Sequence, residues 1–384
     1  MNSELQTGDF ADRAEDSWTL PSNWYFDPAV HDLEREAIFY RTWHYQCHAS
    51  DVATPGDYHV GRIADQSVFI VRDTEGALKA FYNVCSHRAH PLLEGTGNCR
   101  AIICPYHQWT YGVDGSFRGA RGRTTLADWI PENADLKSVR VESFAGLVFA
   151  NLDTEALPLG DQTGGFLDDL TSAAAKIDDL VRVESYEVSV AANWKTILDN
   201  NHECYHCSVN HPTLMKIVDY DSKARWSDDG ITFTHGVERM LVDNGAYDIG
   251  ATLEQEAMFG YIWPTTVPLV FPGSPSLFIF HLIPTGPETT IERWDFLLGH
   301  EEPSDQERRL MDYIKNVLVS EDVRLCENVQ QGLHSRGYTQ GRFVVDRNNV
   351  NFSEHHVHFF QKMVRDALAE DRSCHSAEQR HLPS

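Results

Sequence analysis

Hydrophobic and polar positions fall into two textures along this chain. From Trp43 to about Asp153, short β-rich runs are split by Gly, Pro, Asp and Asn: Tyr58–Ile63, Ser67–Arg72, Leu78–Val84, Ile102–Cys104 and Leu147–Leu152. Runs of this length bounded by turn formers predict an antiparallel β domain. Before it, residues 1–42 read as a peripheral segment, with a turn at Ser22–Asn23 and a helix over Asp32–Tyr40. After it, residues 154–182 are acidic and partly helical and read as a connector.

The second texture alternates strand and helix on a larger scale. A strand-like run after Val183 leads into a helical stretch over Asn193–His211. Strand-like runs return at Ile231–Thr234, Leu269–Phe271, Leu277–Ile283 and Thr290–Leu298, enough for a sheet that floors a pocket. Ser304-Asp305-Gln306-Glu307 is a capping-box signature. It predicts a helical region to about Ser335, broken near Ser320. Asn351–Ala369 predicts a further helix, and Glu370–Ser384 a frayed polar tail. The predicted fold class is α+β, divided into 1–42, 43–153 and 154–384, with the connector in the last part.

Composition narrows the partners. The 384 residues are 42% hydrophobic, enough for a substantial core, and 57 acidic against 32 basic residues leave a formal charge of −25. That charge argues against nucleic acid and anionic membranes. No apolar run approaches the length of a membrane span, and residues 1–20 do not resemble a signal peptide, which predicts a cytoplasmic location. The eight cysteines lack disulfide-scaffold spacing and read as thiols or metal ligands.

Two clusters carry candidate chemistry. Cys85-Ser86-His87 is followed, after sixteen intervening residues, by Cys104-Pro105-Tyr106-His107. Each Cys–His pair fits one hairpin loop, so that two loops pinch one centre. Two thiolates and two imidazoles suit structural zinc or a [2Fe–2S] cluster of Rieske type, with thiolates on one iron and histidines on the other. The mixed order of ligands and the Gln108–Gly112 strand that follows favour the cluster. Cys99 competes with Cys104 but has no His three residues on. The second cluster is Glu203-x-x-His206-x4-His211. Two imidazoles with a distant carboxylate form the ligand set of mononuclear non-haem iron sites that activate oxygen.

Together these motifs resemble the α subunit of a Rieske non-haem iron oxygenase, over about Trp43 to Tyr338. The resemblance implies a Rieske domain, then a catalytic domain with a curved antiparallel sheet flanked by helices around one iron. It also implies a homotrimer in which one subunit's cluster sits beside its neighbour's iron. A separate NAD(P)H-dependent flavin/iron–sulfur reductase would supply electrons; this chain has no nucleotide-binding fingerprint. The family's third iron ligand is an Asp on a late helix, which maps onto Asp322, with Glu321 as the alternative. Glu203 stands where many members have the Asp that bridges iron site and neighbouring cluster. Glu in that place, within Glu203-Cys204-Tyr205-His206-Cys207, is similar to the branch acting on quaternary ammonium compounds such as carnitine and betaines. Hydroxylation, with demethylation or C–N cleavage, is then the expected reaction. Tyr205, Trp263 and Phe271, with Tyr261 and Phe278, are candidate aromatic contacts for the substrate cation. Arg293, Arg324 and Arg342 are candidates for a substrate carboxylate. An aromatic-ring hydroxylating oxygenase is the nearest rival, and a non-catalytic Rieske electron carrier or a zinc protein the rivals of another class.

Overall fold

Val68, Phe69, Ile70 and Val71 are all buried, as a continuous apolar run in a central strand should be. The structure, a computed structural model, describes residues 6–122, 134–174, 177–216, 224–237, 246–247, 257–271, 276–346 and 353–378. The first domain holds β1 (His44–His48), β2 (Asp57–Ile63), β3 (Gln66–Arg72), β4 (Leu78–Tyr82), β5 (Thr96–Asn98), β6 (Ile102–Ile103), β7 (Thr110–Tyr111), β8 (Phe117–Gly119), β9 (Ser138–Phe144) and β10 (Leu147–Asn151). Seven of these form one sheet in the order β1-β10-β9-β4-β3-β2-β5, and β6-β7-β8 form a small second sheet. All five strand runs expected here overlap observed strands.

The second domain is built on another seven-stranded sheet. Its strands are β11 (Val181–Val190), β12 (Ala224–Asp229), β13 (Thr232–Val237), β14 (Ala257–Ile262), β15 (Thr266–Val270), β16 (Ser276–Gly286) and β17 (Thr289–Leu298). The order is β11-β17-β16-β15-β14-β13-β12, with antiparallel neighbours throughout. Period-two alternation sorts β17 into two faces. Trp294, Phe296 and Leu298 join a core shared with the helices, while Arg293 and Asp295 point the other way. There Arg293 donates to the Gln46 carbonyl at 3.4 Å and Tyr45 donates to Asp295 at 2.9 Å. Arg182 clasps Asp51 beside them, at 2.7 Å. Thus the back of the second sheet rests on the first domain, and Arg293 is committed there instead of to a substrate carboxylate.

Eight helices accompany the sheets among the described residues: α1 (Pro28–Glu34), α2 (Leu159–Gln162), α3 (Phe166–Ala173), α4 (Trp194–Asn201), α5 (Cys207–Asn210), α6 (Asp305–Tyr313), α7 (Val319–Leu333) and α8 (His355–Glu378). The N-terminal segment is not peripheral. Trp24, Tyr25, Ile38 and Phe39 lie in the main core, and the fully buried Glu34 meets Lys195 at 2.5 Å and the Trp194 indole at 2.9 Å. An apolar face that the sequence alone leaves unmatched finds its cover in α4.

Two helical expectations also shift. Asn193 caps α4 through Lys195 N–H at 2.9 Å, but the helix ends at Asn201 and not at His211. Asn and His are weak helix formers, and the Glu203 carboxylate takes the His206 N–H at 3.1 Å, which starts a new turn instead of continuing the old one. Downstream, both halves of the Ser304/Glu307 capping box form. The interruption expected near Ser320 lies earlier: a π-helical turn over Ile314–Leu318 joins α6 to α7. The predicted Asn351–Ala369 helix starts at His355 and runs on to Glu378, and its expected start at Asn351 and the tail residues 379–384 lie outside the described residues. No described helix is long and apolar enough to cross a membrane.

Candidate functional site

The first cluster sits at one end of the β domain. Only Cys104 and His107 lie on a true hairpin loop, between β6 and β7; Cys85 and His87 lie on the connection from β4 to β5, which are not neighbours in the sheet. Even so, the two loops are built alike. Cys85 N–H donates to the His90 carbonyl and Ala89 N–H to the Cys85 carbonyl, at 2.9 and 3.0 Å. Cys104 N–H donates to the Trp109 carbonyl and Gln108 N–H to the Cys104 carbonyl, at 2.8 and 3.0 Å. Ala89 and Gln108 close these turns at φ of 56° and 59°, a region that non-glycine residues seldom occupy without cause.

Both thiols are buried, and the rings of His87 and His107 stand 4.7 Å apart at the outer edge. Trp109 stacks on His87 at 4.7 Å, and the Tyr111 hydroxyl lies 3.2 Å from Cys85 Sγ while accepting Ser86 N–H at 3.1 Å. Two buried sulfurs with two outer imidazoles fit a Rieske [2Fe–2S] cluster. A cleft of about 470 Å³ opens here, lined by His87, Tyr106, His107, Trp109 and Arg121. Cys99 belongs to the neighbouring strand connection, its N–H bonded to the Gly56 carbonyl.

The second cluster lies between α4 and α7. The His206 and His211 Nε2 atoms are 3.0 Å apart, and Asp322 Oδ1 is 3.5 Å from the first and 3.0 Å from the second. Three ligands at right angles and about 2.1 Å from one ion stand about 3.0 Å apart. Each imidazole is held from behind by a carboxylate. Glu203 Oε1 is 2.5 Å from His206 Nδ1, and Glu321 Oε2 is 2.8 Å from His211 Nδ1. An imidazole that donates Nδ1–H turns a lone pair outward at Nε2. Two such lone pairs and the Asp322 oxygen therefore face one another, and that oxygen is shut off from solvent with no well-formed hydrogen bond. Such a trio of acceptors calls for a cation at its centre, and the residues fit a mononuclear iron(II).

The electrostatics agree. Burial lowers the His206 pKa, but Asp322 and Glu203 outweigh it and push the pKa up to about 9. His211 is raised and Asp322 lowered by the same opposition of burial and partner charges.

Glu203 and His206 also line a cleft of about 380 Å³, with Tyr25, Asp199, Arg342 and Glu354. Arg324 is exposed on the outer side of α7, and Tyr205 is 49% exposed. Trp263 packs between Trp194 and Phe360, Phe271 packs between Phe259 and Phe278, and the Tyr261 hydroxyl is taken by the Pro264 carbonyl. Sequence reasoning missed that Glu321 holds His211 instead of competing with Asp322. It also missed that Cys204 and Cys207, read as thiols or ligands, form a disulfide that brackets His206 in the sequence. Their separation of three was the available signal.

Comparison with known proteins follows the same division. A family model for the "Rieske [2Fe-2S] domain" matches residues 42–131. A model for the "Ring hydroxylating alpha subunit (catalytic domain)" matches residues 177–370. The chain is 36% identical over 358 residues to the carnitine monooxygenase oxygenase subunit of Acinetobacter baumannii, covering 93% of this chain and 96% of that one. It is 33% identical to the corresponding subunit of Escherichia coli, covering 94% and 96%. A quaternary ammonium Rieske monooxygenase solved in complex with L-carnitine superposes with a TM-score of 0.86 at 34% identity, covering 94% of this chain and 98% of that one.

Proposed function

Because this chain belongs to the α subunits of the Rieske non-haem iron oxygenases, we propose that it hydroxylates a quaternary ammonium compound of the carnitine and betaine class. The convergence of His206 Nε2, His211 Nε2 and Asp322 Oδ1, in a chain that also carries the paired Cys–His loops, carries the oxygenase reading. The relatives at 36% and 33% identity carry the substrate class.

When bound, the cluster supplies single electrons and the mononuclear iron supplies oxygen activation. The chain's own residues prepare both sites. Cys85, His87, Cys104 and His107 would hold the cluster; His206, His211 and Asp322 would hold the iron. Glu203 and Glu321 fix the ring orientations and keep the Nδ1 protons in place. The overall reaction takes O2, two electrons and two protons; one oxygen atom ends on carbon and the other leaves as water. An N-methyl hydroxylated in this way gives a carbinolamine that releases formaldehyde, while attack on another carbon next to nitrogen breaks the C–N bond.

The electrons come from a separate reductase drawing on NAD(P)H in the cytoplasm. Within the assembly they cross between subunits of a homotrimer, from the outer histidines of one chain to Glu203 of the next. Charge supports that docking: Arg88 and Arg121 flank the cluster loops, whereas Asp199, Glu203 and Glu354 outnumber Arg342 in the lining of the receiving cleft. A closed head-to-tail ring satisfies every such pair.

The test is a single turnover. Iron-loaded protein is reduced anaerobically with dithionite, freed of excess, and mixed with oxygen and one of carnitine, glycine betaine, proline betaine, choline or an aromatic acid. Formaldehyde or a dealkylated amine supports the reading and identifies the substrate. A hydroxylated ring moves the chain to the aromatic branch.

A further inference from the structure

Glu292 is a buried acid that the metal centres do not use. It lies on β17 between Val188 of β11 and Leu282 of β16. Alternation along β17 turns it to the same face as Trp294 and Phe296, toward the helices, and away from Arg293 and Asp295 behind the sheet. It is 5% exposed. One oxygen accepts the Trp294 indole N–H at 2.6 Å, and the other carries no hydrogen bond among the described residues. Across from it stands α7, with Asp322 and Cys326 close enough to feel its charge. Trp294 in turn stacks on Phe280 at 5.0 Å, and Phe296 lies beyond.

A carboxylate buried without a cation is costly and is normally paired or neutralised. None of the described cations offsets this one: Arg293 is spent on Asp295 and Lys195 on Glu34. An acid without a counter-ion, on an aromatic floor beside the iron ligands, is built for a cation that arrives from outside. We infer that Glu292 is the counter-ion for the substrate's quaternary ammonium group and the residue that makes the site prefer a cation over a neutral group of the same shape.

This rests on the quaternary ammonium reading above. The acid supplies charge and the stacked rings supply polarisable faces, so neither needs a hydrogen-bond donor, which a trimethylammonium lacks. Burial pushes the Glu292 pKa up, against the pull of the Trp294 bond. Asp322 and Cys326 are the titratable groups that face it. Entry of a fixed positive charge favours the ionised form, so binding expels a proton.

The test compares charge at constant shape. Anaerobic, iron-loaded protein is titrated by calorimetry with L-carnitine and with the isostere whose head group is uncharged, a tert-butyl group replacing trimethylammonium. Choline and 3,3-dimethylbutan-1-ol form a second pair. Wild type should bind the cation more tightly, and Glu292→Gln should lose roughly tenfold or more of that preference while binding the isostere unchanged. Glu292→Asp, which keeps the charge, should keep the preference. A Glu292→Gln protein with intact iron content and cluster absorbance and an unaltered preference overturns the inference. A wild type with no preference in either pair overturns the quaternary ammonium reading itself. Should Glu292→Gln fail to load iron, the wild type decides by titration in buffers of different ionisation enthalpy. Proton release with the cation but not the isostere supports the inference, and equal release overturns it.

Discussion

Glu203 stands behind His206, its Oε1 2.5 Å from Nδ1, on the opposite side of the ring from Asp322. The same carboxylate takes the His206 backbone N–H at 3.1 Å, so one acid fixes both ring and main chain. Glu203→Gln keeps the shape and removes the charge. Both metals should remain bound, while the rate of single turnover falls by about tenfold to a hundredfold, the usual cost of losing such a partner. Metal analysis and rapid-quench product formation check this; normal turnover would remove Glu203 from the electron path.

Glu321 performs the matching task for His211 at 2.8 Å. Glu321→Ala should weaken iron affinity by about tenfold to a hundredfold and leave the cluster untouched. Iron competition with a chelator, alongside the visible absorbance of the cluster, separates the two effects. Unchanged affinity would mean that α7 alone places the histidine.

The Tyr111 hydroxyl lies 3.2 Å from Cys85 Sγ, in reach of a cluster held there. A hydrogen bond to a cluster thiolate favours the more negative, reduced state. Tyr111→Phe should therefore lower the reduction potential, by on the order of 40 mV if the bond contributes about 1 kcal/mol. Protein-film voltammetry reads this directly.

Arg182 and Asp51 join the two domains with a nearly buried bidentate contact, its shortest leg 2.7 Å. Arg182→Ala leaves Asp51 half of a broken pair and should destabilise the chain by about 3 kcal/mol. Thermal melts would show a lower midpoint, and iron content at low temperature should stay normal.

Buried histidines set the acid limit, and burial holds His281 well below its ordinary value along with three others. Burial lowers His44 and His59 to about 4 and His202 to about 3. Their folded pKa values lie below the ordinary value near 6.5, so the unfolded chain binds more protons as pH falls. Stability should be complete above about pH 6.5 and fall through pH 4, by up to about 1.4 kcal/mol per pH unit for each histidine. Denaturation midpoints between pH 7 and 4.5 test this; replacing His59, whose ring nitrogens both lack partners, by Leu should flatten the slope.

What could be read from the chain and what could not follow from the range of the forces involved. The two Cys–His loops and the His206/His211 pair are legible as clusters because local spacing positions them, and the strands of both sheets because alternation is local. Asp322 was reached through resemblance alone; more than a hundred residues separate it from His211, and only packing of α7 on α4 joins them. The break after Asn201 was hidden because a side chain, Glu203, competes for the backbone donor. Arg293 looked available for a substrate because nothing local reveals which face of β17 meets the first domain. Glu292 escaped notice for the same reason.

The π-helical turn at Ile314–Leu318 has an angular consequence. On one unbroken α-helix at about 100° per residue, the buried stripe of α7 with Asp322 would point roughly 130° away from the buried stripe of α6. A π turn takes up one residue without advancing the helix and removes about 100° of that mismatch. The two stripes then come within roughly 30° of a common azimuth. A single residue's worth of phase thus decides whether Asp322 faces the histidines or the solvent.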